Sequence, residues 1–461
     1  MRPSIPSNSP SHQAGGPLRV RRGLRATLLL VVALAVVGCS ATVSGAAPVA
    51  HGATSGTGPS GVRAAVRPGT PGAGGAATSG ATGPADSASP PAATPTSTGP
   101  GGAALLSPAV RARLSAALLR LRETYHLPGV QAVVRLADGE TWTADAGYAD
   151  LATRQRVTPT TLFDAGSITK TFLAALTLEL ADAHVLSLGD PVSRWLPDFT
   201  PARGVTIREL LDHTSGIGEP FDSQALLAQL GSAPAHAWTA TQVLAYAGRV
   251  RFAPGHGWFY SNANYLLLGE IIRAATGRGV AALLRQRLLG PLGLGNTFLQ
   301  GSSPPPPGVP RATGYDMPSD STWASTPLSD GSGYLPFTSL ATALGTAGAL
   351  ATTASDLARW AAALYGGHVL PPAALSDMLD FGLTAGLHPR WPYGLGVQRV
   401  TLDGQTAWGH SGLLSGFHSS MRYFPASGAT VVVLTNADAT NPDVLVSALV
   451  AALGPARAGI P

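Results

Sequence analysis

Apolar residues recur with a helical period at both ends of the folded part of the chain. Residues 108–125 place an apolar side chain every three to four positions, which predicts an amphipathic helix. Residues 441–453 show the same character and predict a closing helix. Residues 171–180 are apolar on most sides, so we predict that this third helix is buried.

Strand patterns occur early and late, with a long gap between them. Residues 130–136 and 141–147 predict a hairpin, because Asp138-Gly139 between them is a strong turn signal. Later strands are predicted at 396–401, 405–409, 418–423 and 430–435. Residues 182–345 read mostly as short helices and Pro/Gly loops. We therefore expect an α+β fold, in which an antiparallel sheet is flanked by helices and a mostly helical subdomain is inserted.

The first 104 residues lack these patterns. Residues 1–25 contain no acid, and four of their arginines lie between positions 19 and 25. Ala26–Val37 is an apolar run too short to span a membrane. Cys39 follows this run and resembles the cysteine of a bacterial lipobox, so we expect residues 1–39 to be a lipoprotein signal with Cys39 as the lipid anchor. The alternative is a chance cysteine near a cleavage site. Arg21-Arg22 leaves Sec and twin-arginine export both open.

Composition separates a tether from a domain. Residues 40–104 are almost entirely Ala, Gly, Ser, Thr and Pro, which predicts a flexible tether before a domain at 105–455. The formal charge of the 461 residues is +5, but residues 1–104 hold seven arginines and one acid. From residue 105 onward the net charge is about −1, so nucleic acid is not an expected partner. With a single cysteine, no disulfide within the chain can form.

Lys170 is the only lysine in the chain, and it follows Ser167 by three residues. Arginine cannot give up its proton in a protein, whereas a desolvated lysine can. Residues three apart share a helix face, and the start of a helix favours a developing anion. Ser167 and Lys170 are therefore a candidate nucleophile and base. The alternative is a helix-capping serine beside a surface lysine.

Two further stretches carry candidate chemistry. Tyr260-Ser261-Asn262 lies in a loop, where an asparagine usually holds a turn. A tyrosine near Lys170 would instead move protons, and Asn262 would orient the lysine and a substrate amide. His410-Ser411-Gly412 contains a glycine that permits close backbone approach.

Taken in order, Ser-x-x-Lys, Tyr-Ser-Asn and His-Ser-Gly resemble the class C β-lactamase superfamily. This superfamily includes serine D-Ala-D-Ala carboxypeptidases, D-aminopeptidases, esterases and the lactamases. The stretches 205–217 and 347–359 match as well, and the resemblance extends over about 108–455. It implies a serine β-lactamase/penicillin-binding-like fold.

The resemblance also implies roles for individual residues. Ser167 would be acylated, Lys170 would be its base, Tyr260 the catalytic phenol and Asn262 a substrate-binding amide. The backbone N–H groups of Ser167 and Leu413 would form the oxyanion hole. For Lys170 to act as a base, its pKa must fall by about 3 units, on the order of 4 kcal/mol. No cofactor or metal is required.

One departure concerns specificity. The lactamases carry Lys-Thr-Gly where this chain has His410-Ser411-Gly412, and a histidine is mostly neutral near pH 7. If His410 binds substrate carboxylates, their turnover should rise as the pH falls toward about 6.5.

We therefore expect a serine hydrolase on the outer face of the bacterial membrane. Its substrates would be D-amino-acid peptides, in the manner of a D-Ala-D-Ala carboxypeptidase, or small esters. Weak class C β-lactamase activity and a non-catalytic penicillin-recognising or scaffolding homologue are the alternatives. An α/β-hydrolase is disfavoured because the chain has no Gly-x-Ser-x-Gly.

Overall fold

The structure, a computed structural model, describes residues 106–301, 308–317, 326–387 and 392–454. The predicted signal with Cys39 and the predicted tether at 40–104 lie outside these ranges. The described helices are α1 Pro108–Thr124, α2 Thr169–Asp182, α3 Val192–Trp195, α4 Ile207–Leu211, α5 Gln224–Ser232, α6 Ala240–Leu244, α7 Asn262–Thr276, α8 Val280–Leu284, α9 Thr338–Gly348, α10 Ala354–Tyr365, α11 Pro372–Met378 and α12 Pro442–Leu453.

The strands form one large antiparallel sheet and two small ones. They are β1 Gly129–Arg135, β2 Thr141–Asp150, β3 Gln155–Arg156, β4 Phe163–Asp164, β5 Phe298–Leu299, β6 Gly314–Asp316, β7 Thr326–Leu328, β8 Leu350–Thr352, β9 Gln398–Leu402, β10 Gln405–Leu414, β11 Phe417–Phe424 and β12 Ala429–Thr435. The large sheet has the order β3-β2-β1-β12-β11-β10-β9. Early and late strands therefore meet at β1 and β12, as the sequence predicts.

The large sheet is covered on both faces. Alternate residues of β12 enter two separate apolar cores, so that Val431 and Val433 face α1 and α12, while Val432 and Leu434 face α2 and α10. The period of two along a strand produces this division. β1 and β12, which lie next to each other in the middle of the large sheet, are consequently buried on both faces.

Most predicted elements are confirmed within one or two residues, including the hairpin and the helix at 108–124. The largest difference is β10, which continues to Leu414 rather than ending at Gly409. In the described part of 182–345 the regular structure consists mainly of short helices separated by loops, with a few short strands added. Among the described residues, none of the helices combines the length and apolar character that crossing a bilayer requires.

Candidate active site

Ser167 lies in a single 3-10 turn, Gly166–Ile168, immediately before α2 rather than inside its first turn. The buried carboxylate of Asp164 accepts a hydrogen bond from the backbone N–H of Gly166 at 2.6 Å. Nε2 of Gln300 donates to the other oxygen of Asp164 at 2.9 Å. Ser167 is the one residue between 161 and 170 that is not buried, so this fixed turn presents its hydroxyl to the surroundings.

Lys170 is fully buried one turn after Ser167. Its Nζ lies 3.1 Å from Oγ of Ser167, 2.8 Å from Oδ1 of Asn262 and 2.7 Å from the carbonyl oxygen of Ala347. These three acceptors come from three different elements, the 3-10 turn before α2, α7 and α9. An ammonium group has three N–H donors, so every one has an acceptor here.

The same geometry defines the direction of the lone pair when Lys170 is a neutral amine. A neutral amine keeps two N–H bonds, and neither Oδ1 of Asn262 nor the carbonyl of Ala347 can donate in return. Both remaining N–H bonds are therefore directed to those oxygens. The lone pair then faces Oγ of Ser167, 3.1 Å away, within the range for direct proton transfer.

Tyr260 and Asn262 are positioned by the start of α7. Oγ of Ser261 accepts the N–H of Ala263 at 3.2 Å and donates to the carbonyl of Gly218 at 2.8 Å, so it caps the helix. Nζ of Lys170 lies 4.8 Å from the centre of the Tyr260 ring. The capped helix start thus brings a phenol and an amide to the amine.

Strand β10 leaves a free edge beside this cluster. Strand β9 pairs with it only as far as Gly409 opposite Gln398. Beyond that point the N–H of Ser411 donates to Oε1 of Gln398 at 3.1 Å, and its hydroxyl contacts the same oxygen at 3.3 Å. Backbone N–H groups two residues apart in a strand point to the same side, so the N–H of Leu413 faces the same edge. This is the edge at which the oxyanion donor is expected.

Gly412 allows β10 to approach the Ser167 turn. A Cβ at this position would lie 2.0 Å from the carbonyl oxygen of Ala165 and 2.3 Å from Oγ of Ser419. Gly166, at φ +52°, meets the strand from the other side, and a Cβ there would lie 3.1 Å from the nitrogen of Leu413. Two side-chain-free positions therefore bring the two predicted oxyanion donors together.

His410 is almost fully buried, with 1% of its surface exposed. Its Nδ1 lies 2.6 Å from the carbonyl oxygen of Ser411 and its Nε2 lies 3.0 Å from the hydroxyl of Tyr393. A carbonyl only accepts, so Nδ1 carries the proton and Nε2 is free to accept from the phenol.

Burial, together with the positive charge of Lys170, holds the pKa of His410 well below 6.5, although its bond to Ser411 acts in the opposite direction. The expectation that this histidine titrates near 6.5 is therefore wrong. In the pH range where the protein would work, His410 supplies no cation for a substrate carboxylate.

Glu219 is a residue that the sequence reasoning missed. Its oxygens accept the backbone N–H of Asn262 at 2.5 Å, Nδ2 of Asn262 at 3.2 Å and the backbone N–H of Phe221 at 3.0 Å. Only 2% of it is exposed, and burial raises its pKa to about 7. The available signal was a lone acid between Gly218 and Pro220 in an otherwise apolar stretch.

The predicted site residues meet at one cleft, which encloses about 630 Å³ including the solvent at its mouth. Its lining contains Ser167, Tyr260, Asn262, His410, Ser411 and Leu413. Lys170 and Gly412 are not among the lining residues and are buried beside it. The lining also contains the apolar side chains of Phe221, Leu340, Leu344 and Leu414.

Charge is missing from this lining. Across the described ranges, no side chain that lines the cleft is an acid, a lysine or an arginine. The part of the chain that the structure describes also holds no group of three or more His, Cys, Asp or Glu residues able to bind a metal ion. The arrangement is suited to nucleophilic attack on a carbonyl that has no charged group beside it in the substrate.

Comparison with known proteins gives consistent relatives. The family model described as Beta-lactamase matches residues 114–455. Penicillin-binding protein 4 of Amycolatopsis lactamdurans is 30% identical over 68% of this chain and 82% of its own length. Esterase EstB of Burkholderia gladioli is 30% identical over 47% of this chain and 58% of its own length. The solved structure of D-amino acid amidase from Ochrobactrum anthropi SV3 is 25% identical, with a TM-score of 0.64 over 76% of this chain and 99% of that one.

Proposed function

This chain belongs to the β-lactamase family of serine hydrolases, and from that premise we propose that it forms an acyl-enzyme at Ser167 with uncharged amides or esters. The observation that supports the proposal is the placement of Lys170, whose lone pair is directed at Oγ of Ser167 by two acceptors that cannot donate. A serine activated in this way attacks a carbonyl carbon without a metal or a histidine.

Acylation follows from these contacts. Nζ of Lys170 takes the proton of Ser167 as Oγ bonds to the substrate carbonyl carbon. The carbonyl oxygen becomes an anion, which the backbone N–H groups of Ser167 and Leu413 stabilise. Tyr260, whose ring centre is 4.8 Å from Nζ, passes its phenolic proton to the leaving amine or alcohol as its bond to carbon breaks, and it regains a proton from the ammonium group of Lys170. Water then attacks the acyl-enzyme, and the proton movements run in reverse.

The substrate class follows from the lining of the cleft. A substrate carboxylate next to the scissile bond would need a cation, and a free amine would need an anion; the described lining offers neither. Neutral His410 does not replace the cation. We therefore favour amides of D-amino acids whose α-amine is blocked, and short-chain esters, over the D-Ala-D-Ala carboxypeptidase activity that the sequence reasoning ranked first. The amidase and esterase relatives support this choice by their names.

A parallel rate comparison tests the proposal. We would measure kcat/KM for a neutral short-chain ester, an N-acylated D-amino acid amide, a peptide ending in D-Ala-D-Ala and a cephalosporin, with Ser167→Ala as the blank. The two uncharged carbonyl substrates should exceed the two carboxylate substrates by about tenfold or more, the loss expected for one missing charge-assisted contact. Preference for the peptide or the cephalosporin would refute the assigned substrate class.

Location is a separate proposal. We infer from the apolar run and the cysteine after it that the protein is exported and held on the outer face of the membrane through Cys39. A substrate that meets such a site lies outside the cytoplasm, which fits the peptide and ester chemistry above.

A further inference from the structure

We propose that Glu219 is a positioning residue, which holds the side-chain amide of Asn262 with its oxygen toward Lys170 and so directs the amine at Ser167. Glu219 does not line the cleft, so it acts through Asn262 and not on substrate. The proposal rests on the function proposed above, because it assigns Lys170 the role of base.

The three partners of Glu219 are all donors. The backbone N–H and Nδ2 of Asn262 lie 2.5 and 3.2 Å from its two oxygens, and the backbone N–H of Phe221 lies 3.0 Å from one of them. An ionised carboxylate is the side chain that offers only acceptors. No donor on Glu219 is required by any of these contacts.

This arrangement decides which way the Asn262 amide points. Its nitrogen side faces Glu219, which accepts, and its oxygen side faces Nζ of Lys170 at 2.8 Å, which donates. Rotating the amide by half a turn would place an N–H₂ against the amine and an oxygen against the carboxylate, which is two mismatches in a buried place. Glu219 therefore fixes one of the two acceptors that direct the lone pair of Lys170.

The carboxylate form of Glu219 is accessible at an ordinary assay pH. Burial raises the pKa of Glu219 to about 7, while its bonds to Asn262 and Phe221 and the charge of Lys170 oppose that rise. At pH 8 the side chain is mostly ionised. The pKa values of His213 and His410 nearby are both held well below 6.5, first by their burial, so neither histidine changes charge near pH 8.

Glu219→Gln tests the role with a nearly isosteric change. Glutamine offers one acceptor atom and one N–H₂, so at least one of the three donors loses its partner or the Asn262 amide turns over. At pH 8 we expect kcat for a neutral ester to fall by roughly 10- to 100-fold, the size of one lost charge-assisted hydrogen bond. KM should change less than about threefold, because Glu219 itself does not line the cleft.

Glu209→Gln is the matched control. Glu209 is the third residue in the capping box of α4, and glutamine serves that role as well as glutamate does. Circular dichroism and thermal melting should show both variants folded. A loss of kcat confined to Glu219→Gln separates positioning from a general effect of removing an acid.

A reciprocal exchange gives a readout that a merely structural role would not move. Asn262→Asp alone places two carboxylates face to face and should lower activity. Combined with Glu219→Gln, the aspartate can accept from both glutamine Nε2 and Lys170, so the contact between positions 219 and 262 is restored, while the N–H of Phe221 loses its acceptor. A carboxylate at 262 stabilises the ammonium form of Lys170, so each variant is compared at its own optimum between pH 6 and 10. The double variant should exceed each single variant by at least about fivefold.

The possible results all decide the proposal. A Glu219→Gln variant with kcat within about threefold of wild type, or a double variant no better than the poorer single one, overturns it. If Glu219→Gln does not fold, alone or combined with Asn262→Asp, while Glu209→Gln does, Glu219 stabilises the fold and the positioning role is rejected. Labelling of Ser167 by a fluorophosphonate probe in the wild-type protein is scored separately. Its absence would reject the acyl-enzyme function, whereas its presence with an unaffected Glu219→Gln would reject only the role of Glu219.

Discussion

Replacing Lys170 with arginine separates the two services that a buried amine could give to Ser167, namely positive charge and a proton-accepting lone pair. Arginine keeps the charge but cannot be deprotonated in a protein. Lys170→Met removes both and serves as the reference. We expect both variants to lose roughly 10²- to 10⁴-fold in kcat/KM, the usual contribution of a general base.

The ratio between the two variants carries the decision. Nζ of Lys170 has three acceptors between 2.7 and 3.1 Å, so a purely electrostatic lysine would be partly replaced by a guanidinium that can reach some of them. One charge-assisted contact is worth roughly 1.5–3 kcal/mol, so arginine would then exceed methionine by about 10- to 150-fold. If the lone pair is what matters, the two variants should agree within about threefold.

Ester hydrolysis at several pH values, together with intact-mass detection of a fluorophosphonate adduct on Ser167, would measure this ratio. Thermal melting checks that both variants are folded, because Lys170 is fully buried and a guanidinium is larger. An arginine variant that retains more than about a tenth of wild-type kcat/KM, a loss below about 1.4 kcal/mol, would refute the lone-pair argument. Lys170 would then be an electrostatic partner of the site.

Three further outcomes are expected. Gly412→Ala should lower kcat/KM by about tenfold or more, because β10 must move and take the N–H of Leu413 with it; Gly295→Ala, where nothing lies within 4 Å of a Cβ, is the control, and equal activity of the two variants would contradict the argument. The ratio of penicillin kcat/KM to ester kcat/KM should not change between about pH 5.5 and 8.5 in the wild type, because the pKa of His410 lies well below 6.5. His410→Lys should raise that ratio. A wild-type ratio that increases as the pH falls would mean that His410 titrates in this range. Cys39→Ala should leave an unlipidated precursor, and a variant that still partitions into detergent as a processed lipoprotein would show that the lipobox interpretation is wrong.

The pattern of apolar residues and turn signals predicted most strands of the large sheet, because these signals are local and can be read from each segment by itself. Residues 130–136 and 141–147 flank an Asp138-Gly139 turn, and they pair as β1 and β2. The extent of β10 could not be predicted in this way. Gly409 and Gly412 lower the strand propensity of its second half, but a close approach to the Ala165 carbonyl and to β11 outweighs that preference.

The candidate site, too, could be predicted from the sequence only in part. Ser167 and Lys170 are three residues apart, so their contact depends on local helical geometry that the sequence displays. The contacts of His410 with Tyr393 and of Glu219 with Asn262 join residues 17 and 43 positions apart. Nothing local marks such pairs, and burial rather than residue type sets the pKa of His410 and of Glu219. Hence the contact between Ser167 and Lys170 and the place of Asn262 beside the amine were predicted, whereas the contacts that Glu219 and Tyr393 make were not.

The position of β12 has a consequence for the order in which the protein can fold. This strand comes late in the described part of the chain, yet it lies between β1 and β11 in the middle of the large sheet. A ribosome must therefore synthesise Ala429–Thr435 before the first hairpin can acquire its neighbour. Contacts between such distant residues make folding slow, because the entropy of closing a long loop is lost before the contacts that stabilise the sheet can form. Completion of the large sheet therefore has to wait until residue 435 has been synthesised.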